Sequence, residues 1–368
     1  MKVWSTGSRR ALRALAIAAI VVPVLVVGPG ADAAERDAVV NAPGAAAAGI
    51  TGFTPTVTAD ATRAAEATAG HRLSRDAVLA AYWTPARMRA ARPVEESEQY
   101  RRALAVPQAG LKSAPAPRNS GQELIVPPAR GATTTGGMGT QATDPNLPSS
   151  HPTAFTAGKV FFTMDGKNYV CSGTIVNTAA GNEVWTAGHC IHGGRGGTLA
   201  SNWTFVPAYN GDAANPRPLG TWTATGLWTM TAWINDSNFA EDMAVAVMGT
   251  QGGQHINRYG SQGLWVNAGV NQFMNAFGYP AEAPFNGRRL KQCAANSVQE
   301  NPAVWTQTIK ITPCNFTGGA SGGSWLINYD GQWGLVNGIN SRADRATWVA
   351  SPYFDDTALV LYNFTTNF

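Results

Sequence analysis

From about residue 155 the chain alternates short apolar runs with clusters of Gly, Asn, Asp and Pro, the pattern of short strands joined by turns. Residues 159–163 and 169–176 are β-rich and flank Asp165-Gly166, a two-residue hairpin signal. Further short strands are predicted at 184–187, 203–206, 243–248, 304–311 and 334–337. Many short strands at this spacing predict an all-β sandwich or barrel. At the end, residues 355–362 alone read as helix. The preceding third differs. Residues 34–130 are rich in Ala and Arg and hold one Trp and no Cys. Within them 73–92 reads as helical, and 106–129 contains five prolines and reads as a linker.

The N-terminus predicts export. Lys2, Arg9, Arg10 and Arg13 precede a 14-residue apolar run over 14–27, and Ala31-Asp32-Ala33 supplies a small-x-small cleavage site. A spanning helix needs roughly 20 apolar residues, so a signal peptide fits better than an anchor. Ser8-Arg9-Arg10 leaves general and twin-arginine export both open. The predicted organisation is a signal peptide over 1–33, a removable pro-segment with its Pro-rich linker over 34–130, and a Cys-bearing domain over 131–368. The cut between the last two is expected near Arg130-Gly131.

Composition changes this picture in two ways. The overall pI of about 8.9 is misleading, because residues 1–130 hold 16 Lys+Arg against 10 Asp+Glu, whereas 131–368 hold 11 against 13. The domain that carries the chemistry is slightly acidic, which argues against a nucleic-acid partner. The four cysteines, Cys171, Cys190, Cys293 and Cys314, suit two disulfides in an exported chain. Three pairings are open, and no C-x-x-C spacing supports zinc. No metal or other cofactor is expected.

Three fragments carry candidate chemistry: 185–190 with His189, 241–248 with Asp242, and 318–324 with Ser321. A serine hydroxyl needs a neighbouring base to become a nucleophile, and attack on a carbonyl builds negative charge that backbone N–H groups must meet. Glycines around Ser321 let the chain turn tightly, so the N–H groups of Gly319 and Ser321 are the expected oxyanion hole. Ser324 is the competing serine. His189 follows an apolar strand, with His192 as its rival. A Cys171–Cys190 bridge would fix this base on a rigid element. Asp242 heads an apolar strand, where a carboxylate accepting the histidine's second N–H would set its tautomer. Glu241 and Asp236 are alternatives.

The order His189, Asp242, Ser321, with gaps of 53 and 79 residues, resembles the chymotrypsin/trypsin-like serine proteases. The run 170–176 leading into 185–190 is similar to the bacterial glutamyl endopeptidase branch. The resemblance covers roughly 155–345. It implies two antiparallel six-stranded β-barrels with the site between them, and hydrolysis of peptide bonds through an acyl-enzyme. It implies an active enzyme acting on protein or peptide substrates, a monomer free of the membrane once its signal is removed, and an extracellular location. The alternative is a catalytically inactive binding module on the same fold.

Departures from the family pattern matter too. Ala320 stands where an acid usually precedes the nucleophile, and no Ile-Val-Gly-Gly start lies upstream, so activation by a new N-terminal amine is not expected. Asn315 falls at the base of the specificity pocket, where trypsin-like cleavage requires an acid. Asn340 stands where glutamyl endopeptidases place a histidine. Strict preference for Lys/Arg or for Glu is therefore not expected. Phe316 is expected to narrow the pocket, and a Cys293–Cys314 bridge would brace its wall.

Overall fold

Asp165 and Gly166 both take positive φ, 50° and 68°, the conformation a tight hairpin turn requires. They join β1 (Ala157–Met164) to β2 (Lys167–Val176), which pair antiparallel from Ala157↔Thr174 to Met164↔Lys167. This computed structural model describes residues 39–111, 121–131, 146–147, 149–301, 303–305 and 307–368, all within the unit Asp37–Phe368. The signal peptide expected over 1–33 lies outside the described residues.

Four more strands complete a ring: β3 (Glu183–Thr186), β4 (Ser201–Pro207), β5 (Trp222–Met230) and β6 (Ala244–Met248). Their order is β5-β6-β3-β2-β1-β4, and the pairs Trp222↔Phe205 and Thr223↔Thr204 close β4 onto β5. The closure is partial: the remaining edge of β5, over Leu227–Met230, is taken by residues 50–53. Its core is aromatic, with Phe161, Trp185, Trp203, Phe205 and Trp222 fully buried.

The second half is a ten-stranded sheet. Its main strands are β7 (Gly263–Val266), β8 (Phe273–Gly278), β9 (Leu290–Gln299), β10 (Thr308–Ile311), β11 (Ser324–Ile327), β12 (Leu335–Ile339) and β13 (Val349–Pro352). They run in the order β13-β10-β9-β8-β11-β12-β7 around a separate core containing Met274, Ile309, Phe316 and Trp325. The helix Asp356–Thr365 closes the chain, capped by Asp355, whose side chain accepts from the Thr357 N–H. The all-β reading with a short C-terminal helix therefore holds. Both disulfides are formed, Cys171–Cys190 and Cys293–Cys314.

The region before residue 131 is more structured than its composition suggests. Ile50–Phe53 extends the first sheet by pairing antiparallel with β5, where the Trp228 ring lies so close over Gly52 that any Cβ there would overlap it. Residues 73–92 form two short helices, Arg75–Tyr82 and Pro85–Ala90, instead of one. Pro85 cannot continue a preceding helix, and Thr84 starts the next by accepting from the Arg87 N–H at 3.2 Å. Trp83, between them, is fully buried, packs against Phe161 and donates from Nε1 to the Asn202 carbonyl at 2.8 Å. The Pro-rich stretch is not a bare linker, since Leu124–Val126 pairs with β7 as an edge strand. Among the described residues, no helix is long and apolar enough to cross a membrane.

Candidate active site

His189 lies one short turn beyond β3, in the 3₁₀ turn Gly188–Cys190. Asp242 lies two residues before β6, which pairs with β3, so the two residues flank adjacent strands at the same end. The Asp242 carboxylate is fully buried and holds His189 twice. Its Oδ1 accepts from the His189 backbone N–H at 2.8 Å, and its Oδ2 lies 2.7 Å from Nδ1. Ser341 Oγ donates to Oδ2 at 2.6 Å. Gly188 is required because a Cβ there would come within 3.0 Å of both the Trp233 ring and Asp242 Oδ1. Burial alone would push the His189 imidazole down, but the Asp242 carboxylate outweighs it, so the ring is held above the ordinary histidine range.

Ser321 sits in the tight loop before β11. Gly322 has φ +81°, and a Cβ there would lie 2.1 Å from Thr186 Oγ1 and 2.4 Å from the Ser172 carbonyl. The loop is tied to the first barrel by the Ser172 N–H, which donates to the Ser321 carbonyl at 2.7 Å. Within the second sheet, Asn340 Nδ2 donates to the carbonyls of Ala320 (2.9 Å) and Phe277 (2.7 Å), while its Oδ1 accepts from Trp325 Nε1 at 2.7 Å. Asn340 thus anchors the loop that carries Ser321. Ser324, the competing serine, is the first residue of β11, and its Oγ is buried without a partner.

A cavity of 510 Å³ opens beside Ser321, with Phe316, Ala320, Asn340, Ser341, Arg342 and Trp348 in its wall. Of the three residues expected around such a pocket, Phe316 and Asn340 line it and Asn315 does not. Arg342 is buried, and its guanidinium is paired with Glu300 (2.5 and 3.3 Å) and stacked 3.5 Å from the Trp305 ring centroid. Cys171, His189 and Cys190 cluster closely enough to suggest metal ligation, but both sulfurs are joined in the disulfide and offer no thiolate.

The sequence reading missed what covers this site. Glu95, in the 3₁₀ turn Val94–Glu96, is buried with its carboxylate at Ser321: Oε1 accepts from Ser321 Oγ, and Oε2 accepts from the Gly319 N–H at 2.9 Å. Burial pushes the Glu95 carboxyl up. Tyr100 packs edge-on against the His189 ring, with centroids 4.9 Å apart, and donates to the Ser341 carbonyl at 3.2 Å. His189 Nε2 is left buried without a hydrogen-bond partner.

No protein-family profile matches the chain, and no curated protein does. Solved structures do match. A thermostable serine protease, AL20, from an extremophilic microorganism is 36% identical with a TM-score of 0.54, over 60% of this chain and 99% of that one. Protease Anisep from Arthrobacter nicotinovorans is 38% identical with a TM-score of 0.55, over 61% of this chain and 99% of that one. With the closed first barrel, the second sheet and these two relatives spanned over nearly their full lengths, the chain belongs to the trypsin/chymotrypsin-like serine proteases.

Proposed function

We propose that the chain is a secreted serine endopeptidase that hydrolyses peptide bonds through an acyl-enzyme on Ser321. His189 takes the proton from Ser321 Oγ as that oxygen attacks the peptide carbonyl carbon, and later delivers it to the leaving amine. Water then attacks the acyl-enzyme with the same base and acid, releasing the acid product and restoring Ser321. Asp242 orients the imidazole and stabilises its protonated form. The N–H groups of Gly319 and Ser321 receive the oxyanion. The observation that carries the reading is the double hold of the buried Asp242 on His189, at 2.8 and 2.7 Å, which leaves Nε2 as the ring's free base.

Residues 34–130 act in this reading as a pro-segment removed after export, and the mature enzyme is a monomer acting on proteins or peptides outside the cell. The two disulfides support export. Phe316 and Trp348 in the cavity wall, with the Arg342 charge already paired to Glu300, favour neutral side chains at the primary pocket over Lys, Arg or Glu.

The test is to treat the processed, secreted protein with a fluorophosphonate and map the adduct. Modification at Ser321 that is lost in His189→Ala, together with cleavage of a mixed peptide substrate, is the expected result. A folded, processed protein that neither reacts nor cleaves would overturn the reading.

A further inference from the structure

The carboxylate at Ser321 is neither a surface acid nor a stray contact. Glu95 lies 226 residues from Ser321 in sequence and is buried, and each of its oxygens accepts a hydrogen bond from the loop 319–321. One oxygen takes the Gly319 N–H, the donor assigned above to the developing oxyanion. The other takes the Ser321 hydroxyl hydrogen, which attack on substrate requires His189 to receive. A carboxyl group, unlike an activated acyl group, resists attack by an alcohol, so it can stay against the nucleophile unchanged.

Four further contacts hold it there. Arg92–Pro93 pairs in parallel with β2 at Tyr169 and Val170. Gln99 exchanges two hydrogen bonds with Thr198, Nε2 to Oγ1 and Oε1 from the N–H, both at 2.9 Å. Tyr100 packs between His189 and Phe239. Gln108 donates to the Ser237 carbonyl at 3.1 Å and accepts from the Phe239 N–H at 3.0 Å. The segment thus grips both loops that flank His189, the one before β4 and the one before β6.

We propose that the reactive centre is a carboxylate-binding site and that Glu95 is its built-in occupant, by which the segment Arg92–Gln108 holds the unprocessed chain inactive. The proposal rests on the reading of Ser321 as nucleophile. Inhibition comes from capture of the reacting groups, with Glu95, Glu96, Tyr100, Arg101 and Leu104 of the same segment walling the cavity beside Ser321. After excision the same surface is expected to accept the segment as a separate peptide.

Rates of fluorophosphonate modification at Ser321 test this in the unprocessed full chain, with thermal melts confirming that each variant is folded. Wild type should react slowly, Glu95→Ala about 100-fold faster, and Glu95→Gln in between, because it keeps the shape and loses the charge-assisted bonds. Glu98→Ala, at an exposed acid of the same segment, should match wild type. A synthetic peptide spanning 92–108 should inhibit the processed enzyme, and its Glu95→Ala version should do so at least tenfold less well. Equal rates for unprocessed wild type and Glu95→Ala, with the processed enzyme reactive, would overturn the role of Glu95 alone. Failure of every form to react, the processed enzyme included, would overturn the nucleophile assignment and this proposal with it.

Discussion

Ser341 Oγ and His189 Nδ1 converge on a single oxygen, Asp242 Oδ2, at 2.6 and 2.7 Å. The carboxylate therefore divides its charge between a neutral donor and the ring it orients. Ser341→Ala removes the neutral donor and leaves the carboxylate less stabilised, so it holds the imidazolium more strongly. The His189 pKa should rise further, and the acid limb of the kcat/KM profile of the processed enzyme should move to higher pH. The hydrogen bond is worth about a tenfold loss in rate at the plateau. A pH profile that coincides with wild type would show that Ser341 does not tune the pair.

Glu183 predicts a pH dependence of stability unrelated to activity. It is fully buried in β3, its Oε2 accepts from Trp185 Nε1 at 3.0 Å, and its Oε1 has no partner. Burial pushes its carboxyl from the ordinary 4.5 up to about 7. Between those values the folded chain holds a proton that the unfolded chain has released. Stability from this group is complete below pH 4.5 and falls as pH rises, levelling above about pH 7, by about 3 kcal/mol in total. Glu183→Gln keeps the acceptor for Trp185 and cannot ionise. Denaturant unfolding at pH 5 and pH 8 should show a smaller pH loss in the variant than in wild type.

The proposed triad was more legible in the sequence than the segment proposed to cover it. His189, Asp242 and Ser321 could be picked out because each sits at a strand end or in a Gly-rich loop and because their order is distinctive. Glu95 had no such mark. It is one of three acids in the run 95–98, and its partners at 319 and 321 become neighbours only when two distant parts of the chain pack together. Ser341 was hidden in the same way, as an ordinary serine after β12. Asn340 was read by position as part of the pocket wall. It does line the cavity, but its amide is fully engaged with Ala320, Phe277 and Trp325, which its position along the chain could not reveal. The strand Leu124–Val126 was obscured by the prolines around it, since an edge strand tolerates flanking Pro that a central strand would not.

Trp83 should decide how firmly the region before residue 131 adheres to the first barrel. Its ring is fully buried against Phe161, and its Nε1 bond to the Asn202 carbonyl satisfies a buried acceptor. Trp83→Ala should cost about 3–5 kcal/mol in the unprocessed chain. The same change should speed cleavage of residues 59–104 by an added protease at low dose. Unchanged thermal stability together with unchanged cleavage would show that this contact does not hold the segment in place.

The pairing of Glu300 with Arg342 should link stability to substrate choice. Arg342 lines the cavity beside Ser321, yet its charge is committed to Glu300 and its face to Trp305. Glu300→Gln leaves a buried guanidinium without its counter-ion, at a cost of about 3 kcal/mol in stability. The Thr308 hydroxyl, which donates to Glu300 Oε2 at 2.7 Å, can still donate to the variant's side-chain oxygen, so the local structure should survive. The uncompensated positive charge at the cavity wall should then attract acidic side chains. A peptide library cleaved by processed wild type and by Glu300→Gln should show a relative gain of about tenfold for Asp or Glu at the position preceding the cut, declining as salt is raised. If the variant is less stable but keeps the wild-type profile, the Arg342 charge does not reach the substrate, and preference must be set by the apolar wall formed by Phe316 and Trp348.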